Sequence, residues 1–296
     1  MTLAGCGIHE SSNHYPSKNL NTAKSEFAKV KNGYIEYYRF GNGSPIILIP
    51  GYATDVSSWD RAFLARLAQQ HEVIVLNNRN VGRSYVHSSS YEAQDLANDI
   101  YQLIQQLNLK KPAVLGISMG GMIAQQLAVL HTDKLGQLIL INTAIAGKQA
   151  IPPTPKVEKM MLQKPKNKLD QYVVAIELFF PAQSRMQMAY ALAVERFQPP
   201  NYKEIDSATL MPLQQHLINN WIKDNTTAKK ISQLDLPVLI LNGTADDVIP
   251  PVNSLILART IPDAQLIRWN NGGHGMLFQY PTEIADTVNN FIAQNN

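Results

Sequence analysis

The sequence predicts an α/β protein with a mainly parallel β-sheet and helices on both faces of that sheet. Two observations lead to this prediction. Stretches such as Leu96–Leu107 and Met119–Leu130 carry apolar residues at helical spacing. They alternate with short, almost continuous apolar runs, which suit parallel strands buried on both faces. These runs are Ile46–Ile49, Val73–Leu76, Ala113–Leu115, Leu138–Ile141, Val238–Leu241 and Gln265–Trp269.

A β-hairpin is expected ahead of the first of these runs. Phe27–Phe40 alternates apolar and polar residues around the pair Asn32-Gly33. Such a pair favours a type I′ turn, because both central positions of that turn need a positive φ. The fold is therefore expected to begin with two antiparallel strands.

The pattern changes between residue 144 and about residue 230, where prolines separate short helical pieces rich in Met, Phe and Tyr. We interpret residues 144–230 as a helical cap inserted into a core made of residues 26–143 and 231–296. Residues 1–25 are expected to form a flexible tether. Six apolar cap residues are candidates for pocket lining, with ordinary cap packing as the alternative: Phe179, Phe180, Met186, Met188, Tyr190 and Trp221.

The composition excludes several classes of protein. The 296 residues are 45% apolar and 17% charged, which suits a globular chain with a large core and rules out a disordered or collagen-like one. The formal net charge is only +3 and the lysines are spread, so no nucleic-acid partner is expected. No run approaches the roughly 18 apolar residues of a membrane-spanning helix. A small or neutral substrate fits this composition better.

The single cysteine, Cys6, excludes disulfide frameworks and cysteine-rich metal sites. Leu3-Ala4-Gly5-Cys6 resembles the lipobox of bacterial lipoproteins. A secretory signal needs a basic start and an apolar region of about 7 to 15 residues, which the residues before Cys6 cannot supply. We therefore expect the true start upstream, with the protein anchored in the cell envelope through a lipidated Cys6. If the match is by chance, a cytoplasmic protein is expected.

Gly116-Ile117-Ser118-Met119-Gly120 directly follows a predicted strand and precedes a predicted helix. This is the setting of a G-x-S-x-G nucleophile elbow, where small residues allow a sharp turn that exposes the serine hydroxyl above the sheet. A glycine-rich turn with an N-capping serine is the alternative. The strand before and the helix after favour Ser118 as nucleophile, with Gly116 and Gly120 as the elbow glycines.

A serine nucleophile needs a base and an acid that orients the base. His274 is the candidate base, because it lies in a glycine-rich loop after the last predicted strand, at the sheet edge where catalytic groups gather. The other histidines are expected on the surface or in packing, and of these only His216 in the cap is placed to line a pocket. Asp246 and Asp247 both follow the preceding strand, so the residues alone leave the acid open, with turn chemistry as the alternative for both.

Apart from the cap, residues 27–291 resemble bacterial α/β-hydrolases of the esterase, enol-lactonase and cofactor-free haloperoxidase or perhydrolase group. The resemblance rests on Gly116–Gly121 followed by Met122-Ile123-Ala124, and on the order Ser, Asp, His along the chain. It implies the α/β-hydrolase fold, with a mostly parallel eight-stranded sheet, helices on both faces and an inserted helical cap.

The resemblance also assigns further site residues. In the family's G-x-x-D-x-x-x-P segment the acid lies three residues after the glycine, which selects Asp246, and Asn142 occupies the alternative position for the acid. The implied oxyanion-hole donors are the backbone N–H groups of Met119 and Tyr52. Pro50 stands where the family has the histidine of a His-Gly pair. In the family's D-x-R-G-x-G-x-S turn, Asn77 replaces the aspartate.

The leading function is therefore hydrolysis of a small carboxylic ester or lactone through an acyl-enzyme. A cofactor-free perhydrolase or haloperoxidase is the close alternative, and a ligand-binding protein with little turnover is a third. No cofactor is expected, because the sequence lacks G-x-G-x-x-G and P-loop motifs. No metal site is expected, because it also lacks H-E-x-x-H.

Overall fold

The computed structural model describes residues 19–88, 91–163, 166–200, 202 and 210–296. Within them the chain forms a nine-stranded sheet flanked by helices. The strands are β1 (Glu26–Val30), β2 (Gly33–Gly41), β3 (Ser44–Ile49), β4 (His71–Leu76), β5 (Tyr85–Val86), β6 (Ala113–Ile117), β7 (Leu138–Ile141), β8 (Val238–Gly243) and β9 (Gln265–Trp269). The helices are α1 (Arg61–Leu67), α2 (Ala93–Gln106), α3 (Met119–His131), α4 (Pro155–Leu162), α5 (Lys168–Phe179), α6 (Arg185–Val194), α7 (Met211–Trp221), α8 (Asn225–Ile231), α9 (Val252–Thr260), α10 (Met276–Gln279) and α11 (Pro281–Gln294).

The strand order is β1-β2-β4-β3-β6-β7-β8-β9, with the short β5 paired to β2. The pairings of β2 with β1, β4 and β5 are antiparallel, and the pairings from β4 through β9 are parallel. The chain returns from β4 past β3 to β6, so the strand order reverses between β3 and β6. Open α/β sheets bind ligands outside the carboxyl ends of the strands at such a reversal. The expected site therefore lies beyond Ile49 and Ile117, where β3 and β6 end.

Alternate strand residues point to opposite faces of the sheet, and helices cover each face. Ile47 and Ile49 of β3 pack with residues of α2 and α3 in one hydrophobic cluster. Ile46 and Leu48 pack with residues of α1 and α11 in a second cluster. All four side chains are fully buried. The predicted α/β class, with helices on both faces, is confirmed.

The two ends of the sheet differ from the expectations. The two-residue β5 adds a ninth strand to the eight that the resemblance implies. Residues 265–269 form β9 as predicted, but they are mostly exposed rather than buried on both faces. The reason is that β9 lies at the edge of the sheet, where one neighbouring strand is missing.

The predicted hairpin forms, but its predicted turn is wrong. Val30 pairs with Gly33, so the central residues of the turn are Lys31 and Asn32 rather than Asn32 and Gly33. Only Asn32 has a positive φ, +65°, whereas a type I′ turn needs two such residues. The observed turn is held by α2, because the amide N–H of Lys31 donates to Oε1 of Gln102 at 2.8 Å.

The described part of the predicted tether, residues 19–25, contacts the core. Leu20–Thr22 form a short 3₁₀ helix, and Ala23 is fully buried. The packed chain thus begins before the predicted boundary at residue 25. Cys6 and its predicted lipobox lie outside the described residues. Among the helices that the structure describes, none has the length and apolar character needed to cross a bilayer.

Helices α4 to α8 lie between β7 and β8, and all but Ile231, the last residue of α8, fall within the residues assigned to the cap. Of the candidate pocket residues, Met186 and Tyr190 are 90% and 70% exposed, so these two face solvent instead of a pocket. Phe180 and Met188 are buried in a cluster formed mainly by α5 and α6. Trp221 of α7 belongs to the hydrophobic cluster that includes buried residues of α2 and α3. This region is therefore packed directly onto the sheet's own helices.

A buried carboxylate explains why asparagine occupies position 77. Glu36 is 2% exposed, and its Oε2 accepts a hydrogen bond from Nδ2 of Asn77 at 2.8 Å. Its Oε1 accepts from the hydroxyls of Ser25 and Tyr38, both at 2.8 Å. Burial favours the neutral form of Glu36, but these bonds and one from the Arg83 N–H hold its pKa below the usual value. An aspartate at position 77 would place a second carboxylate against Glu36.

The replacement Asn77→Asp is expected to lower the free energy of unfolding by about 2 to 4 kcal/mol at pH 7, because a donor becomes a like charge. Repulsion raises the folded-state pKa of the carboxyl pair, so the folded variant binds more protons than the unfolded one and loses stability as the pH rises. Urea unfolding from about pH 4 to 8 measures this, with Asn219→Asp on the exposed side of α7 as control. A difference from the wild-type protein that does not change with pH would contradict the electrostatic cause.

Candidate active site

Ser118 occupies the sharp turn between β6 and α3. Its backbone has φ +56° and ψ −125°, a conformation that side chains disfavour, and its N–H donates to the Ile141 carbonyl at 3.0 Å. The turn needs both predicted elbow glycines. A Cβ on Gly116 would lie 2.3 Å from the Gly120 carbonyl oxygen, and a Cβ on Gly120 would lie 2.1 Å from that of Ile49. The absence of these side chains lets α3 begin directly against the ends of β3 and β6.

His274 and Asp246 are hydrogen-bonded and buried at the same edge of the sheet. Nδ1 of His274 lies 2.9 Å from Oδ2 of Asp246, and the two side chains are 9% and 0% exposed. A carboxylate only accepts hydrogen bonds, so in the neutral imidazole Nδ1 carries the proton and Nε2 carries the lone pair. The other carboxylate oxygen accepts the N–H groups of Val248 and Ile249 at 2.9 and 2.8 Å. Asp247, by contrast, is exposed.

The three residues selected from the sequence thus follow strands of one sheet edge. Ser118 follows β6, Asp246 follows β8 and His274 follows β9. The structure joins Asp246 to His274 directly, whereas no hydrogen bond links Ser118 to His274 among the described residues. The imidazole ring also packs beside Phe179, with 5.7 Å between ring centroids.

Residues 50–54, which we term the β3 loop, run past the serine. A Cβ on Gly51 would lie 3.2 Å from Cβ and 3.7 Å from Oγ of Ser118. In the part of the chain that the structure describes, the N–H groups of Tyr52 and Met119 donate to no other group. Burial raises the pKa of the Tyr52 phenol, so this side chain stays neutral near pH 7. Two N–H groups that have no acceptor among the described residues thus belong to Met119, which follows the serine, and to Tyr52, which follows Gly51 beside it.

Asn142, at the end of β7, has a role that the sequence did not reveal. Its Nδ2 donates to the carbonyls of Gly273 and His274 at 3.1 and 3.0 Å, and its Oδ1 accepts from the Gly243 N–H at 3.0 Å. The residue is 1% exposed. An aspartate here could not donate to the two carbonyls, so the amide fits where the alternative acid would stand. A polar residue directly after a buried strand was the available signal.

Backbone contacts join residues 270–275, which we term the histidine loop, to the region between β7 and β8. The N–H of Gly275 donates to the Phe179 carbonyl at 2.9 Å. His216, in contrast, lies away from His274: it is 62% exposed and bonds to Glu92 at 3.1 Å. Within the described ranges, no group of three or more His, Cys, Asp or Glu residues could hold a metal ion.

A family model of the α/β-hydrolase fold matches residues 44–281. The chain belongs to the α/β-hydrolase family. A non-heme haloperoxidase of Rhodococcus erythropolis is 26% identical to this hydrolase over 286 residues, covering 89% of this chain and 96% of that protein. An alpha/beta hydrolase fold protein from Chitinophaga pinensis matches with a TM-score of 0.77 at 22% identity, covering 93% of this chain and 98% of that one. The enol-lactonase from Burkholderia xenovorans LB400 matches with a TM-score of 0.70 at 20% identity, covering 90% and 100%. The predicted α/β-hydrolase family is confirmed, and the chain is similar to a haloperoxidase of the predicted group.

In this α/β-hydrolase, Asn142→Ala is expected to lower the free energy of unfolding by about 2 to 4 kcal/mol, because two carbonyls and one N–H lose their partner in a buried setting. Urea unfolding measures the loss. The control is Asn219→Ala, an asparagine exposed on α7, which should change stability by less than about 0.5 kcal/mol. Equal stability of the two variants would show that Asn142 does not secure the histidine loop.

Proposed function

We propose that this α/β-hydrolase cleaves a small carboxylic ester or lactone through an acyl-enzyme on Ser118. One observation carries the proposal. The hydrogen bond between Asp246 and His274 is buried at the carboxyl edge of the sheet, where the strand that leads into Ser118 also ends. Serine, acid and histidine in this chain order form the hydrolytic triad of the fold.

Acylation uses the free Nε2 of His274 as the base. Oγ of Ser118 attacks the carbonyl carbon of the substrate while Nε2 takes the hydroxyl proton. Asp246 holds the imidazole in the tautomer required before attack and stabilises the imidazolium after it. Catalytic hydrogen bonds are commonly long in the absence of substrate and tighten when it binds, so a short Ser118–His274 bond is expected in the complex.

The attacked carbonyl oxygen becomes negative and needs donors that already point at it. The N–H groups of Met119 and Tyr52 are the proposed donors, since Met119 follows Ser118, Tyr52 follows Gly51 beside the serine, and neither N–H is used by other described residues. Met119 is also the first residue of α3, whose N-terminal dipole favours negative charge. Losing one such donor typically lowers the rate about 100- to 1,000-fold.

Loss of the leaving oxygen completes acylation, and deacylation then returns the serine to its starting state. The bond from the acyl carbon to the leaving oxygen breaks as His274 gives that oxygen its proton. Water then attacks the acyl carbon and loses a proton to His274, the bond from that carbon to Oγ of Ser118 breaks, and His274 returns the proton to Oγ as the carboxylic acid leaves. In a lactone the leaving oxygen stays attached to the acyl chain, so the product is one hydroxy acid. The fold-level similarity to an enol-lactonase is compatible with such a substrate.

The replacements Ser118→Ala and His274→Ala are each expected to lower nitrophenyl-ester hydrolysis by at least about 1,000-fold, because nucleophile and base act as a unit. Labelling by a fluorophosphonate probe should be lost in both variants. His216→Ala is the matched control, since this histidine is exposed and bonded to Glu92, and it should keep full activity. Equal labelling of Ser118→Ala and the wild-type protein would reject the proposed nucleophile.

Perhydrolysis is the second candidate, and the similarity to a non-heme haloperoxidase favours it. Hydrogen peroxide would replace water in attacking the acyl-enzyme, which releases a peracid and restores Ser118. If hydrolysis is the main reaction, we expect 10 mM hydrogen peroxide to divert less than about one tenth of the acyl-enzyme to peracid. Quantifying acid and peracid from one nitrophenyl ester measures this partition. Peracid as the major product would replace hydrolysis by perhydrolysis as the function.

A further inference from the structure

Gln214 is a buried side chain that the proposed chemistry leaves without a role. It lies on α7, between β7 and β8, and it is 0% exposed. Its Oε1 accepts the N–H of Ala53 at 2.6 Å, and its Nε2 donates to the hydroxyl of Tyr91 at 3.1 Å. Both ends of the amide are thus satisfied, and one end holds the β3 loop from 161 positions away in the sequence.

Side chains hold three successive peptide units of the β3 loop. The Pro50 carbonyl accepts Nδ2 of Asn78 at 3.3 Å, and the Gly51 carbonyl accepts Oγ1 of Thr54 at 3.1 Å. The next unit, between residues 52 and 53, is the one whose N–H donates to Gln214. The Tyr52 N–H, proposed as an oxyanion donor, belongs to the peptide between residues 51 and 52. This peptide lies between the peptides held by Asn78 and Gln214.

The loop needs such support because Ala53 has a φ of +53°. This left-handed conformation is disfavoured for residues with a Cβ, so the free loop would relax away from it. The hydrogen bond to Gln214 acts on the N–H of the strained residue itself. Losing it would therefore allow the peptide units on both sides to rotate.

Tyr91 determines which end of the amide faces the loop. Its hydroxyl donates to the Arg79 carbonyl at 3.3 Å, so the oxygen's lone pairs accept Nε2 of Gln214. Burial raises the pKa of Tyr91 to about 12, which keeps the hydroxyl a donor at neutral pH. Oε1 of Gln214 is left to face the N–H of Ala53.

We propose that Gln214 is a positioning residue that holds the Tyr52 N–H in the oxyanion hole from the cap region. This inference rests on the function proposed above. It makes α7 part of the machinery that stabilises the transition state, although the side chain of Gln214 touches no reacting atom.

The decisive variant is Gln214→Met, which keeps the volume but removes the strong acceptor. We expect kcat to fall about 10- to 100-fold with KM within about 3-fold, since an oxyanion donor acts in the transition state and not on the bound ester. The affinity for a boronic acid, which forms a tetrahedral adduct on the serine, should fall in parallel. Gln215→Met, at the partly exposed next position of α7, is the matched control and should match the wild-type protein.

Gln214→Glu tests the acceptor itself. A carboxyl group in this buried position stays neutral, so its carbonyl can accept the Ala53 N–H and its hydroxyl can bond to Tyr91. We expect its kcat within about 5-fold of the wild-type value. If Gln214→Met does not fold, Tyr91→Phe decides, because it frees the amide to turn and should lower kcat about 3- to 10-fold at unchanged KM.

Two results separate this inference from the proposed function. Full turnover by Ser118→Ala would reject the proposed function and this inference with it. If Ser118→Ala is inactive but Gln214→Met keeps the wild-type kcat and boronic acid affinity, the proposed role of Gln214 would be overturned and the proposed function would stand. A loss confined to KM would also overturn it, because that loss would indicate ground-state binding.

Discussion

The close approach of α3 to the ends of β3 and β6 is the constraint on which the rest of the site depends. Gly116 and Gly120 allow it, because a Cβ on either residue would meet backbone atoms within 2.3 Å. The strained backbone of Ser118, which costs of order 1 to 3 kcal/mol, persists only because the parallel strands on both sides fix it. The same approach brings the β3 loop against the serine, so nucleophile and proposed oxyanion donors share one structural cause.

The region between β7 and β8 contributes to the site at two separate places. Its Phe179 carbonyl accepts the Gly275 N–H beside the histidine, and its Gln214 accepts the Ala53 N–H beside the proposed oxyanion hole. Both bonds are made to backbone donors in loops, which are the parts of an α/β sheet that can most easily move. A cap that only covered a pocket would need neither bond. The geometry of this region is thus coupled to that of the candidate site by hydrogen bonds between residues far apart in the sequence.

Most of the fold could be predicted, and three candidate site residues could be placed at one sheet edge, because their signals are local. A buried strand, a glycine-rich turn and a helix follow one another around Ser118, and Asp246 and His274 each follow a strand of the same edge. The exposure of β9 could not be predicted, because strand order depends on pairings far apart in sequence. The observed turn, centred on Lys31 and Asn32, lies one residue before the predicted one. An Asn-Gly pair is locally compatible with both strand registers, so the sequence around it does not distinguish them. Gln214 carries no local signal, as a glutamine on an amphipathic helix ordinarily faces water.

Buried amides do what carboxylates could not do at two positions of this fold. Asn77 must donate to the buried Glu36, and Asn142 must donate to two carbonyls while accepting an N–H. An aspartate would accept only, so it could not donate to these groups, and at position 77 it would also add a negative charge against Glu36. At the site this leaves Asp246 as the acid bonded to His274, fully buried, with its other oxygen occupied by two backbone donors. The imidazole is therefore held through Nδ1 by Asp246, while Asn142 holds the backbone of the same loop through the Gly273 and His274 carbonyls.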